Sequence, residues 1–196
     1  LFESGVLSQS GLDDPLRVDA ASLQALTPEI LAKEFQVSQS NQLLGLKDRA
    51  KLLNCLGDTL LKQKNIFEAE NTFRPGNLFD YLTRNQVTGV LEARDILVAV
   101  LQGMGEIWPD GSWIDNVAIG DAGYHEVVKR SDITDGIVPF HKLSQWMSYS
   151  LIEPLQEAGF KVNNLDALTG LAEYRNGGLF IDTKAISLKD RTQLEV

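Results

Sequence analysis

Several residue types are scarce in this 196-residue chain, and each scarcity excludes a class of protein. A single cysteine, Cys55, permits no internal disulfide, which favours a reducing compartment. The two histidines, His125 and His141, stand far from that cysteine and from each other, so they form no zinc-binding pattern. No run of about 18 apolar residues occurs, and the sequence therefore predicts no membrane-spanning helix. No basic-then-apolar leader opens the chain either, and we expect a cytoplasmic protein.

Basic residues are also in short supply. The chain has 18 Lys and Arg against 27 Asp and Glu, which gives a net charge of −9. Proteins that bind nucleic acids usually carry a basic stripe that neutralises phosphates, and none is visible here. The negative charge also disfavours approach to an anionic membrane. We expect neither nucleic acid nor a membrane as a partner, whereas a small anion can still bind through a few donors in a cleft.

What the chain does contain is a series of helical patterns. Thr27 and Pro28 form a helix start, as N-cap and first helical residue. Apolar residues recur at three- and four-residue spacing over residues 43–64, and residues 93–104 have the composition of a buried helix. With 43% hydrophobic residues the chain can bury a core. We predict a mainly α fold: a single helical region over residues 1–196 with a few short strands.

Most residues suited to chemistry fall in one segment, residues 136–182, which we interpret as the active-site segment. Within it the pattern predicts a helix over residues 141–158, stopped by Gly159. A second helix is predicted over residues 165–175, ended by Asn176 and the two glycines after it, with a short strand following. Because the connection between the two helices is short, we expect them to pack as neighbours.

The first of these helices carries an unusual polar stripe. Its expected packing side consists of Leu143, Met147, Leu151 and Leu155. The opposite stripe consists of Lys142, Gln145, Trp146, Tyr149 and Glu153. Large aromatic rings gain little from exposure to water. Stacking on a flat ligand, or packing beneath another element, therefore explains Trp146 and Tyr149 better than a solvated face does. His141 and Lys142 stand at the helix start, where free backbone N–H groups and the helix dipole favour a phosphate.

The second helix places Asp166, Thr169 and Glu173 near one another at three- and four-residue spacing. An ordinary capped helix explains Asp166, which stands near the N-terminus, but it does not explain Glu173. We therefore take Glu173 as a candidate for chemistry.

Residues 138–146 and 168–178 together resemble the uracil catabolism protein four family, whose domain is one of unknown function. Four other stretches agree with the resemblance: residues 35–38, 74–80, 107–109 and 151–155. Members of that family are about twice this length, so the chain resembles their C-terminal half, with the missing N-terminal half as a partner. The resemblance implies a role in a ring-opening route of uracil breakdown that passes through a ribosylurea-type intermediate.

A more distant similarity, to queuosine-salvage N-glycosidases, suggests a reaction. Those enzymes carry a Lys-x-x-Gln helix, which Lys142 and Gln145 match. They then carry a Leu-Thr-x-x-Ala-Asp-Tyr-Arg segment, matched by Leu168, Thr169, Ala172, Glu173, Tyr174 and Arg175. Glu173 replaces the aspartate, so the carboxylate stands on a longer side chain. A further aspartate of that group would fall near Ser150 here, and Glu153 can compensate one turn on.

These resemblances imply an N-glycosidase-type hydrolase that cleaves a ribosylurea-type nucleotide. Such cleavage needs a carboxylate near the anomeric carbon, and Glu173 is assigned this role, with Arg175 and Asp166 beside it. The substrate-binding residues are expected to be His141, Lys142, Gln145, Trp146, Tyr149, Tyr174 and Asn176. No metal or organic cofactor is expected. A non-catalytic scaffold or regulatory partner of the pathway's cyclohydrolase-like enzyme stays open as the alternative.

Overall fold

The structure is a computed structural model that describes residues 1–84, 88–108, 111–171 and 174–190. The α-helices in these ranges are α1 (Ala20–Gln24), α2 (Pro28–Glu34), α3 (Leu46–Lys62), α4 (Lys64–Phe67), α5 (Asn77–Thr83), α6 (Ala93–Met104), α7 (Lys142–Glu157) and α8 (Tyr174–Asp182). Single 3₁₀ turns lie at Gly11–Asp13, Gly105–Ile107 and Leu165–Ala167. Helices outweigh strands, so the prediction of a mainly α fold with a few short strands is confirmed.

The strands are short and pair two by two. They are β1 (Glu68–Ala69), β2 (Thr72–Phe73), β3 (Val90–Glu92), β4 (Trp113–Ile114), β5 (Val117–Ala118), β6 (Gly123–Tyr124), β7 (Ile137–Val138) and β8 (Lys161–Asn163). Three of the pairs are antiparallel, namely β1–β2, β4–β5 and β6–β7. The β3–β8 pair is parallel and joins strands far apart in sequence, with α6 and α7 between them. Because β3 leads directly into α6 and β8 follows α7, this pairing holds the end of α7 beside the start of α6.

The core is formed by α1, α2, α3, α4 and α6 together with β3. Its largest fully buried apolar side chains are Leu23, Leu31, Leu60, Phe67, Leu91, Ile96 and Val100. α1 packs against α3, and α6 packs against α7. A small residue allows α3 and α1 to approach closely. A Cβ on Gly57 would lie 2.7 Å from the carbonyl oxygen of Ala20, so only glycine fits between α3 and α1.

Several sequence predictions of the helices are confirmed. α2 begins at Pro28, and the Thr27 hydroxyl accepts the Ile30 N–H at 3.2 Å. α6 covers the predicted residues 93–104. α7 ends before Gly159, whose φ of +92° is left-handed and suits a residue without a side chain. In the described part of the chain, no helix is both long and apolar enough to cross a membrane.

The predicted helix over residues 165–175 is wrong. A single 3₁₀ turn occupies Leu165–Ala167, and Leu168 is then extended, with φ −87° and ψ 150°. Leu168 is buried in the core, and the carbonyl oxygen of Thr169 accepts the Tyr149 hydroxyl at 3.0 Å. The backbone here is thus held by α7, which explains why the helical pattern is not followed.

The predicted end of that helix is also wrong. Asn176 and the two glycines after it lie inside α8 (Tyr174–Asp182), and the short strand expected beyond them is the second half of the same helix. Glycine at residues 177 and 178 disfavours a helix interior by about 1 kcal/mol each, which is why the sequence indicated a stop. The amphipathic pattern of the whole segment outweighs that local cost.

Candidate functional site

The site begins with the residue that precedes α7. His141 has φ 44° and ψ 41°, a left-handed conformation that non-glycine residues adopt uncommonly. The β6–β7 hairpin lies just before it in the chain, and the Gln145 N–H donates to the His141 carbonyl at 2.8 Å. The backbone of His141 is therefore held in place by a hairpin on one side and a helix on the other, which limits the positions that its side chain can take.

A carboxylate caps α7 from another part of the chain. Oδ2 of Asp121 accepts the N–H of Leu143 at 2.6 Å and that of Ser144 at 3.2 Å. Oδ1 accepts the Ser144 hydroxyl. The negative charge at a helix N-terminus is favourable, and the two N–H groups gain partners that the helix itself does not supply.

This cap corrects one expectation from the sequence. The backbone N–H groups expected to be free for a phosphate are instead occupied in part by Asp121. An anionic ligand placed against the same amides would meet that carboxylate and be repelled. A phosphate near His141 and Lys142 must therefore be held by side chains rather than by the helix terminus.

Asp121 also approaches the imidazole ring of His141. Its Oδ1 atom lies 3.6 Å from Nδ1, and the two side chains are 11% and 19% exposed. The His141 Nδ1 atom is buried and has no hydrogen-bond partner among the described residues. With Nδ1 turned toward a carboxylate, Nε2 is the nitrogen through which His141 can reach a ligand. An imidazole beside a carboxylate is an arrangement suited to acid–base chemistry.

His141 lines a cleft of about 310 Å³. The other lining residues are Ile114, Ile119, Ala122, Arg130, Thr134, Ile137 and Pro139. The walls are mostly apolar, and the polar groups are few: an imidazole, a guanidinium and a hydroxyl. Apolar walls with a few polar groups are typical of small-molecule sites, and the guanidinium is suited to a phosphate or carboxylate.

The loop that carries Arg130 is held by its own hydrogen bonds. The Arg130 N–H donates to Asp135 at 2.7 Å, and the backbone N–H of Thr134 donates to Asp132 at 2.8 Å. Two hydrogen bonds from Thr134 hold the pKa of the Asp132 carboxyl below its usual range. The bond from the hydroxyl has the larger effect, and the bond from the backbone N–H has the smaller. These turns present Arg130 and Thr134 to the cleft.

Sequence reasoning missed Asp121, Arg130 and Thr134. They lie in loops without a periodic pattern, and Asp121 stands 22 residues before the N–H group it caps. The available signal was the run of turn-forming residues between β5 and β7, which indicates a structured loop without showing what it packs against.

The buried face of α7 differs only in part from the predicted packing side, since Met147 and Leu151 pack half-buried against the core as expected. Leu155 is buried as expected, but Leu143 is 45% exposed. Three polar residues, Ser144, Gln145 and Ser148, are buried instead. Two of the three are satisfied by short hydrogen bonds, since Ser144 donates to Asp121 and Ser148 donates to the Ser144 carbonyl at 2.8 Å. Serine is small enough for α7 to approach α6 closely, which explains why it replaces leucine here.

Gln145 is thus not on an open polar stripe but inside the protein. Its Oε1 atom is buried and has no hydrogen-bond partner among the described residues. The other predicted substrate-binding residues of α7 differ in how far they are exposed to solvent. Tyr149 is half-buried and bonds to Thr169, Lys142 is half-buried, and Trp146 is 50% exposed.

The second motif contributes less to the described site. Asp166 and Asn176 are exposed, as are Ser150 and Glu153 on α7. Glu173, the principal catalytic candidate, lies outside the described residues. The side chains of Tyr174 and Arg175 are likewise outside the described part, although the backbone of both belongs to α8. The structure does join the two motifs at one point, the hydrogen bond between Tyr149 and Thr169.

No group of three or more His, Cys, Asp or Glu residues among residues 1–84, 88–108, 111–171 and 174–190 is arranged to hold a metal ion. Cys55 is a free, half-buried thiol on α3.

A family model described as "Protein of unknown function (DUF1688)" matches residues 1–195. The chain belongs to this family. The resemblance inferred from the two motifs is confirmed by the similar proteins as well. The chain is 40% identical, over 97% of its length, to a protein of Lachancea kluyveri named "Uracil catabolism protein 4". It is 38% identical, over 96% of its length, to "Protein urg3" of Schizosaccharomyces pombe (strain 972 / ATCC 24843).

The match covers 45% of the first relative and 43% of the second, so the chain spans about half the length of these curated relatives. No solved structure matches the chain.

Proposed function

We propose that this DUF1688 protein acts in uracil breakdown, and that it hydrolyses the N-ribosyl bond of a ribosylurea-type nucleotide. The first part rests on the relative named for uracil catabolism, which shares 40% identity with nearly the whole chain. The second part is supported by the site. The observation that carries it is the cleft in which His141, backed by Asp121, lies with Arg130 among apolar walls.

The chemistry of such a cleavage matches these groups. Water attacks the anomeric carbon while the bond from that carbon to the urea nitrogen breaks, and the electron pair of the bond leaves with the nitrogen. His141 supplies a proton to this nitrogen through Nε2, with Asp121 as a positioning residue. The products are free urea and ribose 5-phosphate. Apolar walls exclude water and strengthen the electrostatic effect of the few charged groups.

The remaining roles follow from the sequence motifs. Glu173 takes the proton of the attacking water or stabilises the oxocarbenium-like transition state, and Arg175 orients it or holds the leaving urea. The phosphate is bound by Arg130 and Lys142, because Asp121 occupies the helix N-terminus. Trp146 and Tyr149 pack on the sugar. Asp166 acts in catalysis beside Glu173, and Tyr174, Gln145 and Asn176 complete the substrate-binding group.

The test is a direct assay of the full-length protein. Because the relatives are about twice this length, the additional half is retained as a proposed partner of the site. The protein is incubated with ribosylurea 5′-phosphate, and free urea is measured over time. Release of urea in proportion to enzyme, lost in a His141→Asn variant, supports the proposal. Protein that is folded and yet releases no urea contradicts it.

A second function is favoured by a different observation. Large apolar side chains are exposed between β4 and α7, namely Trp113, Val117, Tyr124, Val127, Ile133 and Phe140. A concentration of exposed apolar residues in one segment is typical of a protein-binding surface. The alternative is that the protein binds and regulates the pathway's cyclohydrolase-like enzyme. It predicts a complex by analytical ultracentrifugation and a change in that enzyme's rate, with no urea release by this protein alone.

A further inference from the structure

A second cleft lies away from His141. It has a volume of about 560 Å³ and is formed by the start of α4, the end of α6 and the β4–β5 hairpin. Its lining residues are Gln63, Asn65, Ile66, Leu101, Gln102, Gly105, Glu106, Asn116, Val117 and Ala118. No part of the proposed N-ribosyl hydrolysis uses this cleft, so its chemistry needs an explanation of its own.

Carboxamides dominate the polar lining. Gln63, Asn65, Gln102 and Asn116 all contribute to the cleft, and they come from three separate structural elements. None of these four side chains makes a hydrogen bond to another described residue; Asn65, Gln102 and Asn116 are exposed to solvent, and Gln63 is half-buried. Each carboxamide offers donors and an acceptor side by side. The cleft thus presents four free pairs of donor and acceptor to whatever enters it.

One charged residue lines the cleft, and it is already paired. Oε2 of Glu106 accepts a hydrogen bond from the Lys62 ammonium at 2.9 Å, and this bond raises the pKa of Lys62 above its ordinary value. Among the described lining residues there is no Lys, Arg or His. The neighbouring Lys62 ammonium is already held by Glu106, so the cleft offers an anion no unpaired cation. The second carboxylate oxygen of Glu106, Oε1, can accept a hydrogen bond from an N–H group of a ligand.

Apolar side chains complete the cleft. Ile66 and Leu101 provide apolar surface on one side, and Val117 and Ala118 provide it on the hairpin. Such surface suits the face of a flat ring, while the carboxamides suit an edge on which N–H and C=O groups alternate. That combination is the pattern of an imide or a ureide. A sugar offers hydroxyl groups on both faces and fits the apolar side less well.

We propose that this cleft is a second small-molecule site that takes a neutral pyrimidine or ureide, such as uracil. Carboxamides pair with its alternating N–H and C=O groups, Glu106 accepts an imide N–H, and Ile66 and Leu101 contact the ring. The site is separate from the cleft of His141, and its occupation requires no turnover. It gives the protein a means to sense the neutral pyrimidine rather than a phosphorylated intermediate.

The experiment follows binding by NMR in the ¹⁵N-labelled full chain, where carboxamide side chains give their own signals. Uracil is titrated, and D-ribose and uridine 5′-monophosphate are titrated in parallel. Uracil is expected to shift side-chain amide signals saturably. The double variant Asn65→Ala/Gln102→Ala should weaken binding about tenfold, because it removes two pairs of hydrogen bonds. Both positions are helical, so alanine is well tolerated there.

The matched control is Gln156→Ala, an exposed carboxamide near the end of α7 outside the cleft, which should leave uracil binding unchanged. Uridine 5′-monophosphate should bind more weakly than uracil, and Glu106→Gln should reduce that difference. A His141→Asn variant should bind uracil normally, which separates this site from the hydrolytic one. The proposal is overturned by saturable binding of ribose without uracil, by unchanged affinity in the double variant, or by no uracil binding up to about 10 mM.

Discussion

Asp121 and His141 meet at the start of α7, where Oδ1 of the carboxylate lies 3.6 Å from Nδ1 of the imidazole. The other carboxylate oxygen accepts the N–H of Leu143, the second residue of the helix. One side chain therefore both caps α7 and lies beside the histidine that lines the cleft. Stability of the helix and geometry of the site are coupled through this residue.

Removing the charge of Asp121 should destabilise the protein. In Asp121→Asn the amide keeps the size of the side chain but loses the negative charge that the helix N-terminus favours. We expect the free energy of unfolding to fall by about 1 to 2 kcal/mol, as for other helix caps. Urea denaturation followed by circular dichroism measures it. Asp115→Asn, at an exposed position of the β4–β5 turn, is the matched control and should change stability little.

The hairpin before His141 gives a second stability test. Gly136 has φ +79°, and a Cβ there would lie 2.0 Å from the ring of Tyr124. In Gly136→Ala we expect a loss of at least about 1 to 2 kcal/mol from the backbone conformation alone, with the clash in addition. Gly123→Ala, in the facing strand, meets its nearest atom at 3.8 Å and should be tolerated. Equal stability of the two variants would show that the hairpin is placed wrongly.

Replacing the imidazole should remove activity and spare the fold. Asparagine adopts left-handed φ more readily than alanine, so His141→Asn preserves the backbone before α7. Loss of a general acid is expected to lower kcat by about 10² to 10⁴. His125→Asn is the control, because His125 is exposed and lies outside the lining of the cleft. A His141→Asn variant with normal kcat and normal stability would remove His141 from the mechanism.

Arg130 is expected to act in binding rather than in the chemical step. In Arg130→Gln the KM for a phosphorylated substrate should rise about tenfold or more with little change in kcat, since the guanidinium contacts a part of the substrate that does not react. The KM for the unphosphorylated analogue should stay the same. Arg94→Gln alters an exposed arginine of α6 and serves as the control. A fall in kcat with constant KM would argue that Arg130 contacts the reacting atoms.

Local signals in the sequence predicted much of the fold. The N-cap and proline at Thr27 and Pro28 predicted the start of α2, and the composition of a buried helix predicted α6 at its observed bounds. Such elements depend on hydrogen bonds and side-chain spacing within a few residues, which the sequence displays directly. The family was likewise evident from two motifs, since each is long and specific.

Predictions failed where contacts with distant parts of the chain decide the structure. Thr169 lies outside any helix, and its carbonyl accepts a hydrogen bond from Tyr149 on α7, so the helical spacing around it does not form a helix. Leu143 is exposed and Ser144 is buried because Asp121 binds the first turn from a loop far upstream. The pairing of β3 with β8 also joins residues about seventy positions apart.

Glu173 is the residue on which the sequence-based mechanism depends most, and it can be tested independently of the structure. Glu173→Gln keeps the shape of the side chain but cannot carry the negative charge. If that charge stabilises a cationic ribosyl transition state, turnover should fall by about 10²-fold or more while folding is unchanged. Lys142→Ala should instead weaken binding of phosphorylated substrate. Near-normal urea release by Glu173→Gln would contradict the assigned role and favour the regulatory alternative.

The central claim is that the bond between ribose and urea is the one cleaved. It is tested most directly with ribosylurea 5′-phosphate labelled with ¹³C at the urea carbon and followed by ¹³C NMR with the full-length protein. The account predicts that the label appears as intact free urea, with one equivalent of ribose 5-phosphate, and that His141→Asn abolishes this product. Label in bicarbonate would show cleavage at the urea carbonyl instead. Either that result or an unchanged substrate signal would contradict the account.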